Sequence, residues 1–243
     1  MASRHLSAAI PVLNTSARAR VRFVDSFAAL RDAAFAGGVN ALCWPRSLAG
    51  DFGEVVAQLG ACEGIDRLDE ARLNALTLGA AGRIARDALV ADLQLLRDHG
   101  LAPELNCIHA YPRDDAGAAV PTDVLSFHAD SAPVEAATWL CTYHGAPSEG
   151  LVNEEAERRI DIPATRAALL REYGGADDAG FREFLHENCY DLHYAPTPNA
   201  QPYSFGIHHL WRIAVDWPGS AVPPCVHRAP AQAAGQPRLL LIS

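Results

Sequence analysis

Apolar residues in the first hundred positions recur at the three-to-four spacing of amphipathic helices, whereas beyond position 104 they fall into short runs and alternations that suit strands. The clearest helical pattern covers residues 82–99. There Ile84, Ala88, Leu89, Leu93, Leu95 and Leu96 form a broad apolar face, and Gly100 ends it. Shorter helices are expected over 27–35, stopped by Gly37-Gly38, over 53–59 and over 68–78. Residues 1–20 read as a loose arm, and 21–24 and 39–44 as strands, the latter closed by Pro45. Further strands are expected over 104–109, 124–130, 135–144, 209–216, 225–227 and 238–242. Between them, residues 145–205 form a long insert with helices over 164–173 and 179–187 and a Pro/Asn-rich loop near 195–203. A segment of that kind commonly walls or covers a pocket. The expected fold is α+β in one domain over 1–243. A mainly helical layer (1–103) precedes a β core (104–243) from which 145–205 projects as a lid.

Set on these strands is one constellation with chemical meaning. On an extended chain residues two apart share a face, so His128 and Asp130 of His-Ala-Asp point the same way. His227 lies far along the chain, and a sandwich or barrel is the kind of fold that brings it to them. Two imidazoles and a carboxylate are the donor set of a mononuclear non-haem iron site with open positions. Arg238 opens the last apolar run, Arg-Leu-Leu-Leu-Ile, and places a guanidinium where it could clamp a carboxylate. A His-x-Asp step alone is a weak signal in a chain with ten His and 17 Asp; the order of the four residues and their placement at strands carry the reading.

Composition narrows the chemistry. A net charge of −9 and a pI near 5.5 argue against a nucleic-acid or anionic-membrane surface. All 20 basic residues are Arg, which removes Schiff-base chemistry and a Walker A lysine. Six scattered cysteines, at 43, 62, 107, 141, 189 and 225, form no Cys-x-x-Cys pair and read as free thiols. With no evident signal peptide and no stretch of membrane-spanning length, the expectation is a cytoplasmic protein.

The constellation His128-x-Asp130, His227 and Arg238 resembles that of the Fe(II)/2-oxoglutarate-dependent oxygenase superfamily. The resemblance implies a double-stranded β-helix, a jelly-roll of cupin type. It also implies Fe(II) held by His128, Asp130 and His227, and 2-oxoglutarate as co-substrate with its far carboxylate on Arg238. The activity it implies is a dioxygenase that hydroxylates or desaturates a small molecule such as an amino acid or a derivative of one. Since Asp130 keeps the carboxylate that halogenating members lack, halogenation is disfavoured. Many members carry Ser or Thr two residues after the Arg. Here that position is Leu240, so another hydroxyl must serve, with Tyr111 and Tyr143 the candidates; Tyr143 also fits a plain core tyrosine on the face of Trp139. More closely, the blocks Trp44-Pro-Arg46, Ser126-Phe-His-Ala-Asp130, Cys141-Thr-Tyr-His-Gly145, Val226-His-Arg-Ala-Pro230 and Arg238-Leu-Leu-Leu241 look like the bacterial DUF1826 family. This chain departs from that pattern at Ala146-Pro-Ser-Glu and in the 145–205 insert. That family brings no activity to carry over.

Other candidates weigh less. His208-His209 are adjacent and would face opposite sides of a strand. His186, Cys189 and His193 match no common zinc spacing. Ser148-Glu149 lacks a nucleophile elbow, and no glycine-rich phosphate loop is present. Arg228, Arg212 and Trp211 lie near the proposed ligands and are either substrate contacts or plain surface residues; Arg158-Arg159 reads as a solvated face. Two further readings stay open: a cupin-type metalloenzyme that does not use 2-oxoglutarate, and a non-enzymatic metal- or ligand-binding barrel. The oligomeric state is open as well.

Overall fold

The computed structural model describes residues 11, 13–113, 118–231 and 235–243. Most of the arm expected at 1–20 lies outside the described residues. From the N-terminus, α1 (Thr15–Arg20) leads into β1 (Val21–Phe23), α2 (Phe27–Asp32), β2 (Ala41–Trp44), α3 (Phe52–Leu59), β3 (Ile65–Leu68), α4 (Glu70–Ala75), α5 (Ala80–Arg97) and β4 (Glu104–Ile108). There follow β5 (Phe127–His128), β6 (Ala137–His144), β7 (Glu149–Leu151), β8 (Ala156–Arg158), α6 (Pro163–Tyr173) and α7 (Ala179–Glu187). The chain closes with β9 (His193–Pro196), β10 (Tyr203–Ser204), β11 (Leu210–Ala214), β12 (Val226–Arg228) and β13 (Arg238–Ile242).

The helices begin where side chains satisfy their free N–H groups. Asn14, Ser26, Asp51, Asp69 and Asp178 cap α1, α2, α3, α4 and α7, each accepting from a backbone N–H of the first turn. Pro163 opens α6, and Gly174, in the left-handed region at φ 73°, ends it. On α5 the buried positions are Gly82, Ala85, Leu89, Asp92, Leu93 and Leu96; Ile84, expected on the apolar face, is exposed. Asp92 is therefore an acid on a buried helix face.

The strands form two curled sheets, a mixed α+β arrangement compatible with a β-sandwich. The larger has seven strands in the order β1-β2-β11-β6-β13-β4-β3, antiparallel except for the parallel pair β1–β2. The smaller has six in the order β10-β7-β12-β5-β9-β8, all antiparallel. Strand alternation sorts the side chains of β6 and β13 into two apolar layers. Trp139, Cys141, Tyr143, Leu239 and Leu241 pack with Leu89, Leu93 and Leu96 of α5 on one side of the large sheet. Leu140 and Leu240 point the other way and pack with Tyr203, Phe205, Trp211 and Cys225 between the sheets.

Three expectations are corrected here. The strand expected over 124–130 is confined to Phe127–His128, because Asp123 accepts from the N–H groups of Leu125 and Ser126 and turns the chain there. The helix expected over 68–78 is α4 alone, and the residues before it form the edge strand β3. The segment 145–205 supplies β7, β8, β9 and β10, four of the six strands of the small sheet, instead of standing outside it. Those strands are two to four residues long, too short for alternation to reveal. Among the described residues no helix is long and apolar enough to cross a membrane.

Candidate metal centre

β5 and β12 are neighbours, and their register pairs His128 directly with His227. Both imidazoles therefore leave the small sheet on one face, and their ring centroids lie 4.6 Å apart. Asp130 follows β5 and turns its carboxylate to them. Its Oδ1 is 3.9 Å from His128 Nε2 and its Oδ2 3.7 Å from His227 Nε2. The ligand atoms of the three residues lie within 4.8 Å of one another, and no other such group of His, Cys, Asp or Glu occurs among the described residues.

The atoms behind the three side chains fix their chemistry. His128 Nδ1 is 2.8 Å from the carbonyl of Ser126, and His227 Nδ1 is 3.2 Å from that of Cys225. A carbonyl only accepts, so each Nδ1 carries a proton, and each ring turns its Nε2 to the centre. Metal-binding histidines are commonly oriented in this way. Burial pushes the His128 imidazole down to about 4, and the adjacent His227 adds to that. Burial works against the Asp130 charge, yet His227, the hydroxyl donated by Thr138 and His128 together hold its carboxyl below the ordinary range. A charged carboxylate is the form in which Asp130 would bind a divalent ion. The two histidines and the carboxylate thus fit the ion they were expected to hold, with the remaining positions left to other ligands. Behind His227 the wall is aromatic. Phe205 stacks over it at 6.5 Å, and Gly150, the register partner of His227, leaves room for Tyr203 and Phe205 that a Cβ would fill.

Arg238 begins β13 and is only 2% exposed. Its Nη1 donates to the Tyr111 hydroxyl at 2.6 Å, and its Nη2 donates to Thr142 Oγ1 at 2.9 Å and to the Ser148 hydroxyl. It has no carboxylate partner among the described residues, and its buried Nε has no hydrogen-bond partner. Burial pushes this guanidinium below its ordinary value, the Tyr111 hydroxyl offsetting part of that. Thr138, which holds Asp130, and Thr142, which touches Arg238, lie on the same face of β6, four residues or roughly 13 Å apart. One strand face thus joins the triad to the arginine.

Of the two tyrosines expected at Arg238, only Tyr111 is there. Tyr143 is corrected: it points to the opposite face of the large sheet, where its hydroxyl donates to Asp92 at 2.6 Å and its ring stacks on Phe52. The other hydroxyls at Arg238 are those of Thr142 and Ser148. Thr138 and Thr142 could have been found in the sequence, since they alternate with Trp139, Cys141 and Tyr143. Ser148 had no such signal, because it lies in the turn before β7. His193, weighed only as a zinc ligand with His186 and Cys189, pairs in register with His128, whose ring is 5.8 Å away. His186 instead meets Asp191 on the surface. Arg212 donates to the last carbonyls of α2 and the residue after it, Trp211 is core, and His209 accepts the backbone N–H of Arg46. Arg228 and Arg159 line a cavity of about 810 Å³, which corrects the solvated-face reading of Arg159.

Set against known proteins, the chain matches no family model, no curated protein and no solved structure. The likeness to the 2-oxoglutarate oxygenases and to DUF1826 rests on the residue blocks themselves.

Proposed function

We propose that this protein is a non-haem Fe(II)- and 2-oxoglutarate-dependent oxygenase that hydroxylates or desaturates a small molecule. The observation that carries the reading is the convergence of His128, Asp130 and His227 at one end of a β6 face whose other end holds the buried Arg238. In this reading the two sheets are the walls of a double-stranded β-helix, and the four strands from 145–205 belong to it. The compartment is a reducing cytoplasm, which suits Fe(II) and six free cysteines.

When bound, the iron would let O₂ serve as the oxidant, two of its four electrons coming from 2-oxoglutarate and two from an unactivated C–H bond of the substrate. The chain's own part is positioning. His128 and His227 present Nε2 atoms fixed by the Ser126 and Cys225 carbonyls, and Thr138 orients Asp130. Arg238 offers a desolvated cation, with Tyr111, Thr142 and Ser148 around it, for the distal carboxylate of the co-substrate. A buried cation without an anion is costly, so a dianionic acid reaching from the metal to Arg238 gains from both ends.

The test is equilibrium binding without oxygen: Fe(II) titrated into the protein, then 2-oxoglutarate into the Fe(II) form. Asp130→Ala should lose Fe(II). Arg238→Gln should keep Fe(II) and lose most affinity for 2-oxoglutarate. Tight Fe(II) binding with no 2-oxoglutarate binding would replace this reading with a cupin-type metalloenzyme of other chemistry.

A further inference from the structure

The cavity lined by Arg159 and Arg228 is unlike the rest of this acidic chain. Its volume, about 810 Å³, lies in the range of roughly 300–1,000 Å³ typical of small-molecule sites. Three guanidinium groups line it, those of Arg113, Arg159 and Arg228, in a protein whose net charge is −9. Two of them already have acids: Arg113 meets Asp123 at 3.2 Å, and Arg228 meets Glu149 at 2.7 Å. Arg159 has no acidic partner among the described residues, and its Nε, buried from solvent, has no hydrogen-bond partner. Burial with nothing to offset it pushes this guanidinium below its ordinary value. A second orphan lies in the same wall: the Ser126 hydroxyl is buried and also lacks a partner. Buried polar groups left this way destabilise a fold unless a ligand completes them. Apolar surface from Leu125 and Phe127 supplies the rest of the contact.

The cavity shares segments with the metal centre, although His128, Asp130 and His227 do not line it. Ser126 supplies the carbonyl that fixes His128, Arg228 follows His227 in β12, and Tyr111 accepts from Arg238. We propose that this cavity binds a small carboxylic acid with an apolar body, its carboxylate taken by Arg159 and the Ser126 hydroxyl. This preference for a carboxylate does not rest on the oxygenase reading. The geometry asks for no redistribution of charge in the protein, since Arg159 brings an unneutralised cation and the ligand brings the anion.

Benzoate and benzamide make a matched pair of probes, alike in shape and different in charge. Their dissociation constants are to be read by ligand-observed NMR titration of the metal-free full-length chain. Benzoate should bind at least about tenfold more tightly than benzamide, the difference expected of one charge-assisted contact. Arg159→Gln should bring benzoate to the level of benzamide, Arg159→Lys should restore part of the preference, and Ser126→Ala should weaken benzoate several-fold. Arg238→Gln should leave benzoate binding unchanged, which separates this cavity from the co-substrate clamp. Circular dichroism on each variant keeps a folding defect from passing as lost binding. Equal binding of the two probes, or benzoate affinity that follows Arg238 and ignores Arg159, would overturn the proposal. Fe(II) titrations on the same preparations judge the oxygenase reading separately. A chain that binds benzoate through Arg159 yet holds no Fe(II) would keep its carboxylate cavity and lose the oxygenase assignment.

Discussion

Cys141 and Thr142 are consecutive residues of β6, and each touches a buried arginine on its own side of the large sheet. On the helical side, Arg46 is fully occupied. Its Nη1 and Nη2 meet both oxygens of Asp92 at 2.6 and 2.8 Å, its Nε meets the His208 carbonyl, and Nη2 also reaches Cys141 Sγ at 3.4 Å. Tyr143 completes Asp92. On the inner side, Arg238 has three hydroxyls, no carboxylate among the described residues and an Nε without a partner. Burial opposes the charge of both. At Arg46 the Cys141 sulfur and the Asp92 carboxylate outweigh it and raise the guanidinium above its ordinary value, while Arg238 is left below. A closed ion pair of the first kind fixes α5 on the sheet. An open cation of the second kind lies on the strand face shared with a His/Asp/His cluster, and under the proposed function it takes an anion that comes from outside.

The contrast can be broken from either side. The largest effect is expected at the triad: Asp130→Ala should abolish Fe(II) binding, measured by equilibrium titration, with the fold intact by circular dichroism. Next, Arg46→Leu should cost about 3–5 kcal/mol of stability in urea unfolding, because Asp92 is left buried and uncompensated. An equal loss at Arg238→Gln, with 2-oxoglutarate affinity untouched, would make Arg238 a second structural cation and end the distinction. The expected result is the reverse. Arg238→Gln should forfeit about 2–5 kcal/mol of 2-oxoglutarate binding, read by titration of the metal-loaded protein, with little change in the unfolding midpoint. A finer comparison uses the two tyrosines. Tyr143→Phe should cost about 1–2 kcal/mol of stability through Asp92 and leave the co-substrate alone. Tyr111→Phe should weaken 2-oxoglutarate several-fold with a smaller stability change.

The smallest effect is a pH dependence on the closed side. His209 Nδ1 accepts the Arg46 backbone N–H at 3.1 Å, so the ring serves there as a neutral acceptor. Burial first, then His208 and Arg46, push it from 6.5 to about 4. The stability this contributes is fully present above pH 6.5 and is lost as the pH falls toward and through 4. Thermal midpoints of the metal-free protein should therefore decline from pH 7 to pH 5, and His209→Gln should flatten that decline. An unchanged slope in the variant would remove His209 from the account.

Where the sequence carried a long period, it was legible. The amphipathic pattern ending at Gly100 placed α5, and the strands of β4, β6, β11 and β13 were read within a few residues. The grouping of His128, Asp130 and His227 was legible from the order of the residues and their placement at strands, since the His-x-Asp step alone is common by chance in this chain. Most of the small sheet was not, because β7, β8, β9 and β10 are two to four residues long, and their pairing depends on contacts across the chain. Losing those strands hid the register that sets His193 beside His128. Tyr143 was misplaced for a related reason. Alternation shows that it shares a face with Trp139 and Cys141, but which face meets Arg238 is decided by the β6–β13 pairing, and that pairing carries a register shift between Leu239 and Leu240.

The most direct measurement is the visible spectrum of the oxygen-free protein as Fe(II) and then 2-oxoglutarate are added. If His128, Asp130 and His227 hold the iron while 2-oxoglutarate chelates it against Arg238, a weak metal-to-ligand charge-transfer band should grow only after the second addition. It should be absent in Asp130→Ala and require far more 2-oxoglutarate in Arg238→Gln. Iron bound with no band at saturating 2-oxoglutarate, or a band indifferent to Asp130, would contradict the account.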